Sequence, residues 1–215
     1  MKEIKCAVFD LDGTILDSMD VWAEIDIEFL SARNLKFESG YLDAIAPMGF
    51  KAAAEYTVSY YSLNENPEDI IKEWNRMAIN AYSHKVGLKP FAKEFLIYLK
   101  KKGIKLSVAT ASDESLYAPA LINNGIYGLF DTFTLVSEVS KSKSHPDIYL
   151  KAADKSGFGP DNTVVFEDIY EGIAGAKKGG FYTIAVYEKH SLRDSDRIKA
   201  LADRYIYSFE ELMDL

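Results

Sequence analysis

Asp10 and Asp12 stand two residues apart where an apolar run ends, in AVFDLDGTILDS (7–18). Like charges this close repel, and a plain turn needs a single Asp or Asn. Three further polar sets follow or flank regular segments. Thr110-Ala111-Ser112 comes after KLSVA, Glu167-Asp168 after NTVVF, and Lys143 lies in SKSKSHPD ahead of a helix-like stretch. The inventory is four carboxylates, a hydroxyl and an ammonium. Carboxylates gathered in one place need a hard cation, and oxygen ligands without His or Cys suit Mg2+. A lysine and a hydroxyl beside such a cation suit a phosphoryl group. One aspartate then attacks phosphorus while the other handles a proton. Asp10, fixed at a strand end, suits the nucleophile. Asp12 sits in a loop that Gly13 lets bend, and from there it reaches the leaving oxygen.

These residues meet only if a fold brings their segments together. From residue 88 onward strand-like and helix-like stretches alternate. The helices expected are PFAKEFLIYLKKKG, ESLYAPALINNG, PDIYLKAADKSG, IYEGIAGAKKGG and a final SFEELMDL. The strands expected are KLSVAT, TFTLV, NTVVF, FYTIAV and RYIY. That rhythm implies right-handed crossovers and a parallel sheet. The expected fold class is α/β, a Rossmann-like doubly wound parallel sheet with Ile4–Phe9 as its first strand. In such sheets ligands bind at the carboxyl edge, near the reversal of strand order. Residues 16–87 break the rhythm. Met19, Trp22, Ile25 and Phe29 recur along one helical face, PEDIIKEWNRMAINAYSHKVG reads as a second helix, and IAPMGF, with Pro47 and Gly49, separates them. The expectation is a core of residues 1–15 and 88–215 with an inserted α-helical cap at 16–87, and Tyr56, Tyr60 and Tyr61 in the cap's interior.

The bulk properties exclude several classes. A net charge of −8 with no dense Lys/Arg run argues against nucleic acid and against anionic membrane surfaces as partners. No stretch approaches the roughly 18 apolar residues of a membrane span. The first apolar run is too short for a secretory signal, so a cytoplasmic location is expected. The single cysteine, Cys6, rules out an internal disulfide and a Cys-rich zinc site, and reads as a packed small hydrophobe. His84 and His190 have no acidic or thiol partners at ligand spacing, and His145 and Lys141 read as loop residues.

FDLDGTILDS resembles the first motif of the haloacid dehalogenase superfamily, DxDx(T/V). VATAS resembles its second motif, Lys143 its third, and VVFEDIYEGIAGAKKGG its fourth, all in the family's order. The insert resembles the helical cap of the beta-phosphoglucomutase and phosphoglycolate phosphatase branch. The resemblance implies an Mg2+-dependent phosphatase acting on a small phosphorylated metabolite; a monomer is expected, with the oligomeric state left open by the sequence. It implies Asp10 as nucleophile and metal ligand, and Asp12 as general acid/base with its backbone carbonyl on the metal. Thr110 and Ala111 would hold the phosphoryl group, Lys143 would offset charge, and Asp168 would bind Mg2+ with Glu167 as direct or outer partner. Ser144 replaces the proline that relatives often carry, and Ile169 the serine, which touches the surroundings of Lys143 and of the metal. A sugar phosphomutase is the alternative. That branch has a cap histidine soon after the first motif, and SMDVWAEID contains none. A non-catalytic binding protein would predict damage to the first motif, which is intact. Trp22 and the loop residues Met48, Phe50 and Lys51 are the candidates for substrate specificity.

Overall fold

A strand whose four residues are all apolar can be buried on both faces, and Cys6–Phe9 is buried throughout. The computed structural model describes residues 3–36, 38–45, 48 and 50–213. In chain order the strands are β1 Cys6–Phe9, β2 Leu16–Asp17, β3 Gly87–Leu88, β4 Lys105–Thr110, β5 Thr132–Leu135, β6 Thr163–Glu167, β7 Tyr182–Val186 and β8 Arg204–Ile206. The α-helices are α1 Val21–Ala32, α2 Ser39–Ile45, α3 Phe50–Tyr61, α4 Pro67–His84, α5 Ala92–Lys101, α6 Glu114–Asn123, α7 Asp147–Lys155, α8 Tyr170–Lys178 and α9 Ser195–Leu201. Six strands form one parallel sheet in the order β5-β4-β1-β6-β7-β8. The chain runs outward through β4 and β5, then returns past β1 to β6. The order therefore reverses around β1, and Phe9 lies in register with Val108 on one side and Phe166 on the other.

Alternation along β1 feeds two cores. Cys6 and Val8 join Ala109, Val165, Ile148 and Tyr149 of α7 and Ala176 of α8 on one face. Phe9 belongs to the other face, stacked on Phe166 with ring centroids 4.4 Å apart and meeting Phe95 of α5 edge-on. Phe209 stacks on Phe95 from the C-terminal end of the chain. Removing one such buried ring costs about 3–5 kcal/mol, so the strand end that precedes Asp10 is firmly held.

The chain divides into two compact units, 1–19 with 86–215, and 20–85. The limits fall slightly inside the expected 16–87 because β2 and β3 pair antiparallel, Leu16 with Leu88 and Asp17 with Gly87, and draw both crossing segments into the α/β unit. Lys89 follows this ladder, pairs in the interior with Glu188 and reaches Asp17 at 3.3 Å. The second unit, Asp20–Lys85, is helical. Asn66 caps α4 by accepting from Glu68 N at 2.9 Å, with Pro67 in the first turn. Arg33 bridges Glu65 and Glu73 at 2.7 and 2.6 Å and covers the Phe29 ring.

Several local expectations need correction. In the final SFEELMDL the described residues form no α-helix; Phe209–Leu212 make a 3-10 turn, with Phe209 and Leu212 turned inward. Helix α9 was not foreseen; its polar sequence, SDRIKAL, buries only Ile198. Met19 lies in the turn before α1, and Val21 joins Ile25 and Phe29 on the buried face. The tyrosines are not interior: Tyr60 is 42% exposed, and Tyr56, Tyr60 and Tyr61 surround a buried Tyr41. Pro47 and Gly49 lie outside the described residues. Among the described residues no helix is long and apolar enough to cross a membrane.

Gly175 on α8 faces the backbone of the loop that carries Lys143. A methyl group there would collide with the Lys143 carbonyl oxygen and stand 2.9 Å from that of His145. Gly175→Ala is expected to lower stability by about 1–3 kcal/mol through overpacking. Thermal unfolding checks this, and an unchanged melting temperature would contradict the close packing.

Candidate active site

Three neighbouring strands bring three polar sets to one edge. Asp10 follows β1, Thr110 ends β4, and Glu167 ends β6 with Asp168 next. Because Phe9 is level with Phe166, Asp10 is level with Glu167, and Asp10 N donates to Phe166 O at 3.0 Å. Lys143 enters from the loop before α7 and donates to Asp10 Oδ1 and, at 2.8 Å, to Glu167 Oε1. That loop is held in turn by Lys178, which donates to Ser144 O at 2.9 Å. The sequence-derived residues Asp10, Glu167, Asp168 and Lys143 are thus gathered in one place.

The cluster is dry. Asp10 is 5%, Asp168 2% and Glu167 0% exposed. Carboxylate oxygens of the three lie within 4.8 Å of one another. Burial pushes the Asp10 carboxyl up to about 7; the Lys143 ammonium pulls against it, while Glu167 and Asp12 push further upward. Burial, then Asp10 and Glu167, raise Asp168 well above the usual carboxylate range. Burial disfavours the Lys143 ammonium, but Asp10 and Glu167 outweigh it, so its net shift is upward and it stays charged. Two buried oxygens, Glu167 Oε2 and Asp168 Oδ2, have no hydrogen-bond partner among the described residues. Unpaired buried acceptors of one charge sign, from hard oxygen donors alone, fit a hard divalent cation. Asp10, Glu167 and Asp168 are the residues able to hold it.

Asp12 is placed differently. It is only partly buried, and Ser18 donates to its Oδ1 at 2.6 Å while Ser112 donates to its Oδ2. Gly13 beside it has φ +82, a backbone shape that favours glycine, and a side chain there would strike the Asp168 carboxylate. Thr110 is buried, and its Oγ1 accepts from Ser112 N at 3.0 Å; Ala111 is exposed.

Thr14, Ser18 and Tyr149, which the sequence reading gives no role, and Ser112, which it names only beside Thr110, support the cluster. Thr14 donates to Asp168 Oδ1 at 3.2 Å and to Asp10 Oδ2 at 3.4 Å. Tyr149 donates to Glu167 Oε1 at 2.7 Å across the core. Ser18 and Ser112 orient Asp12. Thr14, Ser18 and Ser112 all lie inside the stretches that first drew notice; nothing local marked Tyr149, which is 18 residues from its partner. Ile169, at one departure from the family pattern, precedes α8 as its N-cap residue with no side-chain cap. Ser144 hydrogen-bonds Ser142 at 2.9 Å within the lysine loop.

In the helical unit Trp22, Met48 and Phe50 line a cavity of about 400 Å3 together with Trp74 and Asp26. Lys51, the fourth specificity candidate, does not line it and is exposed. Phe50 and Lys51 open helix α3 rather than sitting in a free loop.

Comparison with known proteins agrees with this architecture. The family model described as "Haloacid dehalogenase-like hydrolase" matches residues 7–186. Protein CbbY of Rhodobacter capsulatus is 26% identical over 203 residues, 89% of each chain. Hexitol phosphatase B of Escherichia coli K12 is 23% identical over 98% of this chain and 95% of its own. The solved structure of CbbY from Rhodobacter sphaeroides in complex with phosphate shares the fold, with a TM-score of 0.77 at 22% identity, covering 99% of this chain and 100% of its own. With a match across most of its length and the motif residues assembled at one sheet edge, the chain belongs to the haloacid dehalogenase-like hydrolase family.

Proposed function

We propose that the chain is a phosphatase that hydrolyses a small phosphomonoester through a phosphoryl group carried on Asp10. The observation that carries the reading is the meeting of Asp10, Lys143, Glu167 and Asp168 at adjacent strand ends, with two carboxylate oxygens left unpaired. The relatives add support, since one is named a hexitol phosphatase. An Asp10 carboxylate oxygen attacks phosphorus, and the bond from phosphorus to the leaving alcohol breaks. Asp12 gives its proton to that alcohol oxygen. Asp12 then takes a proton from a water molecule as the water attacks phosphorus, which frees inorganic phosphate and restores Asp10. Ser18 and Ser112 fix both oxygens of Asp12, so its direction is set before substrate arrives. Lys143 and the Thr110 hydroxyl take the phosphoryl oxygens. Asp10, Glu167 and Asp168 would hold Mg2+, which when bound would supply positive charge to offset the carboxylates and the phosphoryl group. The helical unit, residues 20–85, is read as the family's cap and as the seat of substrate recognition, and the protein as a cytoplasmic monomer.

Asp10→Asn replaces the attacking carboxylate by an amide of the same shape. With para-nitrophenyl phosphate, kcat is expected to fall at least about a thousandfold, roughly 4 kcal/mol of transition-state stabilisation. Circular dichroism confirms that the variant is folded, and substantial turnover by the folded variant would remove Asp10 from the chemistry. EDTA is expected to abolish activity and Mg2+ to restore it, while Ca2+, larger and looser in geometry, does not. Asp168→Ala should raise the Mg2+ concentration needed for half-maximal rate by about tenfold or more. Full activity in EDTA would sink the metal assignment.

A further inference from the structure

The helical unit holds a second chemistry that the carboxylate cluster does not use. All four of its helices contribute to the cavity of about 400 Å3, whose walls are mostly apolar. Trp22 meets Phe50 edge-on with centroids 5.4 Å apart, and Phe50 meets Trp74 at 6.3 Å. Asp26 lies one turn along α1 from Trp22 and lines the same space. Among the described residues no Lys, Arg or His pairs with Asp26 and no donor hydrogen-bonds to it; the titratable neighbours that feel its charge are the phenols of Tyr41 and Tyr61. Burial alone holds its carboxyl up at about 6. Trp74 lines another wall, and its Nε1 is buried with no partner among the described residues.

A carboxylate in an aromatic pocket with no counter-charge is costly, and a bound cation relieves it. Aromatic faces add their own attraction for a cation, strongest for tryptophan. We propose that this cavity binds an organic ammonium ion, its charge against Asp26 and its alkyl groups against Trp22, Phe50 and Trp74. A polyol suits the space less well, because its many hydroxyls would find few polar atoms and each one left unpaired costs free energy. The test uses no turnover, so its failure and a failure of the phosphatase reading are distinguishable.

The chain has two tryptophans, and both line this cavity, so intrinsic fluorescence reports on it directly. Choline, its uncharged carbon isostere dimethylbutanol, and sorbitol are titrated into the full chain. Choline is expected to give a saturable change and to bind at least about tenfold more tightly than dimethylbutanol. Asp26→Asn, which keeps the side-chain shape, should weaken choline by a similar factor while leaving dimethylbutanol unchanged. The choline-to-dimethylbutanol ratio in the unaltered protein stands whether or not the variant folds. Equal binding of choline and dimethylbutanol, no saturable response to choline, tighter binding of sorbitol, or full choline affinity in a folded Asp26→Asn protein would each overturn the assignment.

Discussion

Asp10, Glu167 and Asp168 are buried together around the single ammonium of Lys143, and most of the structure can be understood as the means of holding them there. Two like charges about 4 Å apart repel by roughly 4 kcal/mol near a protein surface. A domain's net stability is only about 5–15 kcal/mol. Such a cluster survives when its backbone is rigid and its charge is offset. The offset comes from Lys143 and from the hydrogen bonds of Thr14 and Tyr149, while burial and the neighbouring carboxylates shift Asp10 and Asp168 upward, away from the charged form. The rigidity comes from β1, locked in register between β4 and β6 and packed on both faces. Stability is spent at this edge and recovered in the aromatic and aliphatic layers beneath it.

The two units divide the physical work. In the α/β unit the polar groups are dense and mostly buried, held by Lys143, Thr14 and Tyr149. In the helical unit the cavity is apolar, with one uncompensated carboxylate and one unpaired indole N–H. Arg33, bridging two glutamates over Phe29, stabilises the helical unit from outside that cavity.

The sheet was legible because its strands are short apolar runs ended by turn residues, and because Asp10, Thr110 and Glu167 each stand at such an end. Lys143 was legible only through its place in the motif order, since a lysine in KSKS looks like any loop lysine. What escaped notice depended on long-range packing. Tyr149 reads as a core aromatic of α7, and nothing near it in sequence shows that its hydroxyl meets Glu167. Asp26 reads as a solvated charge on an amphipathic helix until Trp74, 48 positions later, is seen to line the same cavity. The β2–β3 ladder joins four residues too few to carry a strand pattern, yet it sets where the units divide. The C-terminal segment has helical spacing but closes as a single 3-10 turn, because burying Phe209 on Phe95 outweighs the gain from another turn of helix.

The central claim is that Asp10 carries the phosphoryl group during turnover. Acid quenching of the enzyme during steady-state hydrolysis of para-nitrophenyl phosphate, followed by proteolysis and peptide mass spectrometry, tests it directly. The account predicts a phosphoryl adduct on the peptide that contains Asp10, lost on treatment with hydroxylamine as an acyl phosphate is. A phosphoryl group on another residue, or continued hydrolysis with no phosphorylated peptide at any quench time, would contradict it.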